Sequence, residues 1–312
     1  MITRSTRIVF MGTPDFAVPS LQILLEAGYP IIGVVTAPDK IGGRGMKELI
    51  VSPIKKFALE HTIPVLQPVN LKSRLFINQL SQLKADLQVV VAFRMLPESV
   101  WSMPSMGTIN LHGSLLPAYR GAAPIQWALI QGETVTGLTT FKLQHEIDSG
   151  QIIHQLEIPV LEDDNAGSLH DRMSIAGAGL ILGSVDLISK GQAPFFVQDE
   201  WMVSHAPKIH HEHGKIQWNS SQRDVYNLIR GMSPFPGAWT MLDGKEFKIL
   251  LAKPHSDVAT DTPGILRKEG KKLLVQTRSG ELEIMEVQMT GKKRMTVGEF
   301  LNGYTIKDWS LT

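Results

Sequence analysis

An amide and an imidazole stand two residues apart in this 312-residue chain, at Asn110 and His112. Both lie at the end of the short apolar run 107–112, and if that run is a strand, their side chains share one of its faces. A Gly-Ser loop follows directly. An amide donor beside a titratable imidazole can bind a carbonyl oxygen as it becomes negatively charged, and can move a proton. The pair is therefore a candidate for chemistry at a carbonyl group.

A carboxylate, Asp148, is predicted to join this pair. It lies in the loop 145–150 after another predicted strand, 135–143, and ligands of an open α/β sheet bind at the carboxyl ends of its strands. A carboxylate near an imidazole orients the ring and stabilises its charged form. None of the three is a good nucleophile, and Ser114 has no base beside it in the sequence. The trio therefore favours direct transfer between two bound substrates over a covalent intermediate.

Taken singly, these residues have ordinary structural explanations. A buried histidine, an asparagine at a strand end and an aspartate in a turn are all common. The combination with the loop 112–121 is far more specific than any of its members.

Metal binding is the other use of histidine and carboxylate side chains. The run His210, His211, Glu212 and His213 resembles a ligand cluster, but adjacent residues cannot converge on one ion from a strand or helix, so a solvated linker is favoured. The chain has no cysteine, which excludes disulfides and cysteine-based metal or redox chemistry. The segment 11–15 has one glycine and is not a dinucleotide fingerprint. We expect no metal.

A glycine-rich connection follows the second predicted strand, at 37–47. Most strand-to-helix connections have about two to six residues, so a longer one is functional or disordered. Its three glycines, Arg44 and the lysines Lys40 and Lys47 suit an arm that grips phosphate or an RNA backbone. An exposed loop without a function is the alternative.

The elements that must position these residues alternate between strand and helix. Short apolar runs without helical spacing predict strands buried on both faces, at 7–11, 31–36, 85–93 and 107–112. Helices are predicted between and after them at 21–27, 54–60, 71–83 and 124–130, with Ser52 as one N-cap. Strands at 135–143 and 151–158 and a long helix at 166–189 follow. This order predicts a doubly wound, mostly parallel α/β sheet of the Rossmann-like type.

The texture changes after residue 209. One short helix is predicted at 221–230, and hairpin signals follow at 243–244, 269–270 and 279–280. Short strands at this spacing predict a small β-barrel of the OB-like type, a class that commonly binds nucleic acid. We therefore expect a catalytic domain at 1–189, a linker at 190–208 and a barrel at 209–312.

Charge and composition support this division. Residues 1–204 carry 15 Lys and Arg against 18 Asp and Glu, a balance of −3, whereas residues 205–312 carry 16 against 12, a balance of +4. A basic second part favours an anionic partner, with ordinary scatter as the alternative. No segment reads as a membrane span or a signal peptide, so we expect a cytoplasmic protein.

The sequence resembles methionyl-tRNA formyltransferases over nearly its whole length. The matching segments are Phe-Met-Gly-Thr-Pro-Asp-Phe at 10–16, Gly-Arg-Gly at 43–45, Ser-Pro-Ile-Lys at 52–55, Asn-Leu-His-Gly-Ser-Leu-Leu-Pro-Ala-Tyr-Arg-Gly at 110–121, Ala-Ala-Pro-Ile-Gln at 122–126, Asp-Ser-Gly at 148–150, Ala-Pro-Lys-Ile at 206–209 and Ser-Pro-Phe-Pro-Gly-Ala-Trp at 233–239. The resemblance implies transfer of a formyl group from 10-formyltetrahydrofolate to the α-amine of methionine on initiator tRNA. Two positions depart from the family pattern, Met46 for a lysine and Arg94 for a glycine.

The resemblance also implies roles for individual residues. Asn110, His112 and Asp148 match the catalytic trio. Ser114, Leu115, Leu116 and Pro117 match the folate-contacting segment. Arg44, Lys47 and Lys208 are implied tRNA contacts, and we expect a monomer.

Three other functions remain open. A formyltransferase acting on an amino-sugar nucleotide would share the trio and the folate donor, but such a small acceptor needs neither the glycine-rich arm nor a basic second domain. A folate-linked hydrolase domain would normally belong to a longer chain. A non-catalytic RNA-binding protein of this fold would not need all three of Asn110, His112 and Asp148.

Overall fold

The computed structural model of the protein describes residues 4–42 and 48–312, which form two compact units. The first unit holds the described residues up to Gly121 together with Gly137–Ile158 and His170–His205. The second holds Ala122–Thr136, Pro159–Leu169 and Ala206–Thr312. The two units interleave along the chain. The division into a catalytic domain ending at 189 and a second domain beginning at 209 stays a prediction.

The first unit is built on a seven-stranded sheet. The strands described between residues 8 and 159 are β1 (Ile8–Gly12), β2 (Ile31–Val35), β3 (Lys40–Gly42), β4 (Glu48–Ile50), β5 (Val65–Leu66), β6 (Leu87–Val91), β7 (Thr108–His112), β8 (Arg120–Gly121), β9 (Val135–Lys142) and β10 (Ile152–Pro159). Seven of them pair in the order β10-β9-β7-β6-β1-β2-β5, while β3 and β4 form a separate antiparallel hairpin.

The sheet is mostly parallel and doubly wound, as predicted. Strands β5, β2, β1, β6 and β7 run parallel, and β9 is antiparallel to β7. The chain moves outward from β1 to β2 and β5, then returns to the other side of β1 as β6 and β7. This reversal is the topological switch point at which open α/β sheets bind ligands, beside the carboxyl ends of the strands.

One helix begins at the side-chain cap that the sequence predicts. The α-helices of the described residues are α1 (Val18–Glu26), α2 (Pro53–Glu60), α3 (Arg74–Gln82), α4 (Glu98–Trp101), α5 (Pro124–Ile130), α6 (Ala166–Ser189), α7 (Gln222–Met232) and α8 (Val297–Gly303). At α2 the Ser52 hydroxyl accepts a hydrogen bond from the backbone N–H of Lys55, 3.1 Å away. This satisfies one of the free donors of the first turn and confirms the predicted cap.

Helix α6 is long and apolar enough, by length and composition alone, to cross a membrane. The expectation that no segment approaches such a length was therefore too broad. Half of its apolar stretch is buried inside the protein, and a core helix can meet the same criterion.

The second unit carries an antiparallel sheet. After β11 (His205–Ala206), which pairs with β8, its strands are β12 (Ala238–Leu242), β13 (Lys245–Ser256), β14 (Leu266–Glu269), β15 (Lys272–Gln276), β16 (Glu281–Met289) and β17 (Met295–Thr296). Asp243 and Gly244 join β12 and β13 with positive φ angles of 49° and 72°, as a two-residue hairpin turn requires. The apolar core includes Phe247 and Phe300, whose ring centroids are 5.2 Å apart.

The strand order of this sheet is β12-β13-β16-β15-β14, with β17 beside β16. Within the described residues this path does not return to its first strand. The predicted hairpins are therefore confirmed, whereas closure into a barrel is not observed. Turn residues specify pairing between neighbours, but closure depends on a contact between distant strands.

Candidate active site

Strand β7 places Asn110 and His112 as predicted. Asn110 pairs with Val90 of β6 on one side and with Phe141 of β9 on the other, and His112 pairs with Thr139. Because side chains alternate along a strand, the two residues share a face. The His112 side chain is buried and that of Asn110 is half-buried at the carboxyl end of β7.

The structure brings Asp148 to this strand end. Its Oδ2 atom lies 3.7 Å from Nδ1 of His112, and its side chain is 14% exposed. The two residues belong to different segments, so their approach is a long-range contact. The predicted meeting of imidazole and carboxylate is present in the structure.

The other imidazole nitrogen fixes the orientation of the ring. Nε2 of His112 lies 2.9 Å from the carbonyl oxygen of Tyr119, to which it must donate. Nδ1 is therefore the nitrogen that faces Asp148. When the ring is protonated, Nε2 can donate to Tyr119 while the Nδ1 proton faces the carboxylate and the open strand end.

Local contacts hold the Asp148 loop in a constrained shape. Asp148 has a φ of +53°, and its Oδ2 accepts a hydrogen bond from the backbone N–H of Gly121 at 2.9 Å. A Cβ atom on Gly150 would lie 1.8 Å from the carbonyl oxygen of Lys142. Only glycine fits at 150, because any side chain would push the loop away from the end of β9.

A residue that the sequence analysis missed also contacts this loop. Gln198 is buried, and its Nε2 donates to the carbonyl oxygens of Asp148 and Gly150, each at 2.8 Å. The segment was predicted to be a linker. No spacing or local motif revealed Gln198, because its acceptors are backbone atoms about 50 positions away in the chain.

The predicted folate segment divides between the core and a pocket. The Ser114 hydroxyl donates to the carbonyl oxygen of Ala118 at 2.6 Å, and Leu116 packs with Phe141 and Ile152. A pocket of about 350 Å³ is lined by Leu115, Leu116, Pro117, Ala118, Gln155, Glu157 and Met202. The assignment of folate to this segment remains a prediction.

The predicted tRNA contacts lie partly outside the described residues. Arg44 and Lys47 lie outside the described residues, and Lys208 is exposed in the second unit. Arg94, the departure from the family glycine, donates to the carbonyl oxygens of Pro68 and Val69.

The histidine run forms contacts of its own. His211 stacks on Trp239 with ring centroids 4.6 Å apart, and its Nε2 lies 2.9 Å from Oε2 of Glu246. The backbone N–H of His210 donates to Nδ1 of His213 at 2.9 Å. Across residues 4–42 and 48–312, no three His, Asp or Glu side chains are grouped so that they could hold a metal ion.

Two family models match the chain in sequence order. One described as formyl transferase matches residues 6–183, and one described as formyl transferase, C-terminal domain, matches residues 208–305. The methionyl-tRNA formyltransferase of Bacteroides fragilis is 47% identical over 312 residues, covering 97% of this chain and 96% of the relative. That of Flavobacterium johnsoniae is 44% identical over 307 residues, covering 97% of each chain.

Solved structures share the fold at lower identity. WlaRD, a sugar 3N-formyl transferase solved with dTDP and 5-N-formyl-THF, has a TM-score of 0.69 and 18% identity, covering 92% of this chain and 99% of its own. HypX from Aquifex aeolicus, in complex with tetrahydrofolic acid, has a TM-score of 0.67 and 18% identity and covers 97% of this chain. The chain spans about half of HypX, 50% of its length. At such identities the likeness shows the fold alone.

Proposed function

The chain belongs to the formyl transferase family, and we propose that it transfers the formyl group of 10-formyltetrahydrofolate to the α-amine of methionine on initiator tRNA. The product, N-formylmethionyl-tRNA, serves translation initiation. The observation that carries this proposal is 44–47% identity to methionyl-tRNA formyltransferases along 97% of the chain. Formylfolate is a co-substrate that donates the formyl group, and none of the steps below needs a metal.

Each member of the trio has a role in the transfer. The neutral amine of methionine attacks the formyl carbon, forming a C–N bond and placing negative charge on the formyl oxygen. The Asn110 amide and the Nδ1 proton of His112 donate hydrogen bonds to that oxygen. Asp148 faces the imidazole and accepts the proton that the attacking amine loses, directly or through water. The bond from carbon to N10 of the folate then breaks, and N10 leaves with the proton that Asp148 took from the amine.

Contacts around the trio support these roles. The carbonyl of Tyr119 holds Nε2 of His112, and the backbone N–H of Gly121 holds Oδ2 of Asp148. Both groups are fixed before substrates bind, so less reorganisation is needed during the reaction. Oδ1 of Asp148 and Nδ1 of His112 are then the atoms left to meet the reacting groups.

The tRNA and folate contacts follow from the resemblance and the charge distribution. Arg44 and Lys47 meet the acceptor end, Lys208 and the basic second part meet the phosphate backbone, and residues 114–117 line the folate site. The protein acts as a monomer in the cytoplasm.

Replacing Arg44 tests the tRNA contact. We expect Arg44→Ala to raise the KM for charged initiator tRNA about tenfold and to flatten its salt dependence, with little change in folate KM. Arg44→Lys keeps the charge and Lys72→Ala removes an exposed lysine elsewhere, so both should stay close to wild type. Unchanged kinetics of Arg44→Ala across several salt concentrations would contradict the assignment.

One assay tests the function as a whole. Purified protein and formylfolate are offered charged initiator tRNA, charged elongator tRNA and an amino-sugar nucleotide side by side. We expect formylation of the initiator tRNA to dominate. Preferential formylation of the sugar nucleotide would replace this proposal with the sugar formyltransferase alternative. Release of formate without an acceptor would indicate a hydrolase, and folate binding without turnover a non-catalytic protein.

A further inference from the structure

We propose that Gln198 is a positioning residue that holds Asp148 against His112, and that Arg120 fixes the orientation of the Gln198 amide. The inference rests on the proposed function for the importance of Asp148 to catalysis. It assigns a role in the active site to the 198–204 segment, which the sequence marks only as part of a linker.

Gln198 contacts the Asp148 loop through its amide nitrogen. The two Nε2 protons go to the carbonyl oxygens of Asp148 and Gly150, at 2.8 Å each. Both bonds are buried or partly buried, where an amide hydrogen bond to a carbonyl is hard to replace with water. The side chain thus bridges the residue that carries the carboxylate and the glycine that allows the loop to approach β9.

Arg120 determines which end of the Gln198 amide faces the loop. Its Nε and Nη2 donate to Oε1 of Gln198 at 3.0 and 2.8 Å. A guanidinium has only donors, so a flipped amide would place N–H groups against N–H groups. Arg120 is buried and is held in turn by the carboxylate of Glu200, with Nη2 to Oε1 at 2.8 Å. This hydrogen bond holds the pKa of Glu200 below its usual value.

The same segment also holds the loop that orients His112. The Ser204 hydroxyl accepts from the backbone N–H of Tyr119 at 2.9 Å, and the Ser204 carbonyl accepts from the N–H of Arg120 at 2.9 Å. Tyr119 is the residue whose carbonyl binds Nε2 of His112. The 198–204 segment therefore ties together the two loops that hold the imidazole and the carboxylate.

The strained backbone explains why such a tie is needed. Asp148 and Tyr119 have φ angles of +53° and +59°, a region that residues with a Cβ adopt only when neighbouring contacts impose it. Without Gln198, the Asp148 loop loses two of its anchors and can relax. The distance of 3.7 Å between carboxylate and imidazole would then increase, and a shift of about 1 Å can reduce a rate roughly a hundredfold.

Three variants separate positioning from general destabilisation. Gln198→Met keeps the length of the side chain and removes its hydrogen bonds. Gln198→Glu keeps an acceptor for Arg120 but turns a carboxylate oxygen toward the two loop carbonyls. Gln192→Met makes the same change at an exposed glutamine six positions earlier and serves as the matched control.

For Gln198→Met and Gln198→Glu we expect kcat to fall about ten- to a hundredfold, with both KM values within about twofold of wild type. In an Asp148→Ala background, Gln198→Met should reduce kcat by no more than about twofold further, because a residue that acts through Asp148 has nothing left to position. Gln192→Met should match wild type.

A readout independent of activity is the amide signal of Gly121 in NMR spectra of the free protein. In wild type this N–H donates to the Asp148 carboxylate. We expect its proton resonance to move upfield and its hydrogen exchange to accelerate in both Gln198 variants and in Asp148→Ala, but not in Gln192→Met.

The outcomes judge this inference and the proposed function separately. An unchanged Gly121 signal in a folded Gln198 variant, wild-type kcat in Gln198→Glu, or full additivity with Asp148→Ala would each overturn the positioning role. Absence of formyl transfer by the wild-type protein would instead reject the proposed function, and the Gly121 signal would still decide whether Gln198 holds Asp148. If Gln198→Met fails to fold, Gln198→Glu carries the test.

Discussion

Two buried glutamines, one in each unit, each donate two hydrogen bonds to backbone carbonyl oxygens, but the segments they join differ. Gln198 in the first unit donates to the carbonyls of Asp148 and Gly150, at 2.8 Å each. Gln222 in the second unit donates to the carbonyls of Ser256 and Glu281, at 2.7 Å each. Both amide nitrogens donate to two carbonyl oxygens, but Gln198 bridges a loop with a reacting carboxylate, whereas Gln222 joins the end of β13 to the start of β16.

The comparison shows that a buried amide has no function of its own. Its effect is set by what its acceptors carry, because satisfied buried hydrogen bonds mainly fix geometry and add little net stability. In the first unit the fixed geometry places catalytic groups. In the second it fixes the register of an antiparallel sheet whose exposed cations include Lys253 and Lys272. Removing the glutamine of the first unit should therefore mainly lower the rate, and removing that of the second unit should mainly lower the stability.

The largest effect is expected at the trio itself. Asn110→Ala and Asp148→Ala should each lower kcat about a hundred- to a thousandfold. Asn110 donates to the oxyanion, and Asp148 faces His112 and takes the proton from the amine. Substrate KM values and the unfolding temperature should change little. Steady-state kinetics with charged initiator tRNA checks this, and near-normal turnover of either variant would remove that residue from the mechanism.

Gly150→Ala should have the next largest effect. A Cβ atom there would collide with the carbonyl of Lys142, so the loop must shift and move Asp148. We expect kcat to fall about ten- to a hundredfold while the protein remains folded. Gly303→Ala is a matched control at the exposed end of α8 in the second unit, where a Cβ meets no neighbour within 4 Å. Equal kinetics of the two variants would show that the loop tolerates displacement.

Much of this arrangement could be predicted from local sequence. The cap at Ser52, the turn at Asp243 and the strand that carries Asn110 and His112 depend on neighbours within a few residues, so residue types reveal them. The approach of Asp148 was predicted from the rule that ligands bind at the carboxyl ends of strands. However, β9 is antiparallel to β7, and its carboxyl end, Lys142, pairs with Ile109 and not with His112. Asp148 reaches His112 through the loop that follows β9, and the rule does not describe the course of that loop.

The remainder depends on contacts between distant segments. Gln198 bonds to carbonyl groups, which every residue has, so no side-chain pattern marks its partners. Grouping of Ala122–Thr136 with the C-terminal part likewise follows from packing across the chain. The prediction that the barrel closes is not met for a related reason. Hairpin signals specify the pairing of adjacent strands only.

Gln222→Met should sharpen the contrast between the two glutamines. Leaving the carbonyls of Ser256 and Glu281 without their donor should lower the free energy of unfolding by about 1–3 kcal/mol. Below the unfolding transition, kcat should equal that of wild type. Denaturant unfolding and kinetics on the same preparation provide the measurement. A fall in kcat as large as that of Gln198→Met would show that the two glutamines do not differ in this way.

The smallest effect is expected at the Asp243 turn of the second unit. Its carboxylate accepts hydrogen bonds from the backbone N–H groups of Asp308 and Lys307 and from the Tyr304 hydroxyl, at 2.8, 3.2 and 2.9 Å. The Asp308 bond first, and then the others, hold the pKa of Asp243 below its ordinary value of 3.8. The stability from this carboxylate is therefore present above pH 3.8 and is lost as the pH falls through the lowered pKa.

Asp243→Asn removes the charge but suits the turn, because asparagine tolerates the positive φ. We expect it to lower the unfolding temperature slightly at neutral pH, and the difference from wild type to shrink as the pH falls below about 4. Asp257→Asn changes an exposed aspartate of the same unit and is the control. Calorimetry between pH 3 and 7 measures this. Transfer kinetics should match wild type, because the carboxylate contacts residues 304–308 of the second unit. A pH-independent difference would mean that Asp243 acts through the shape of the turn and not through its charge.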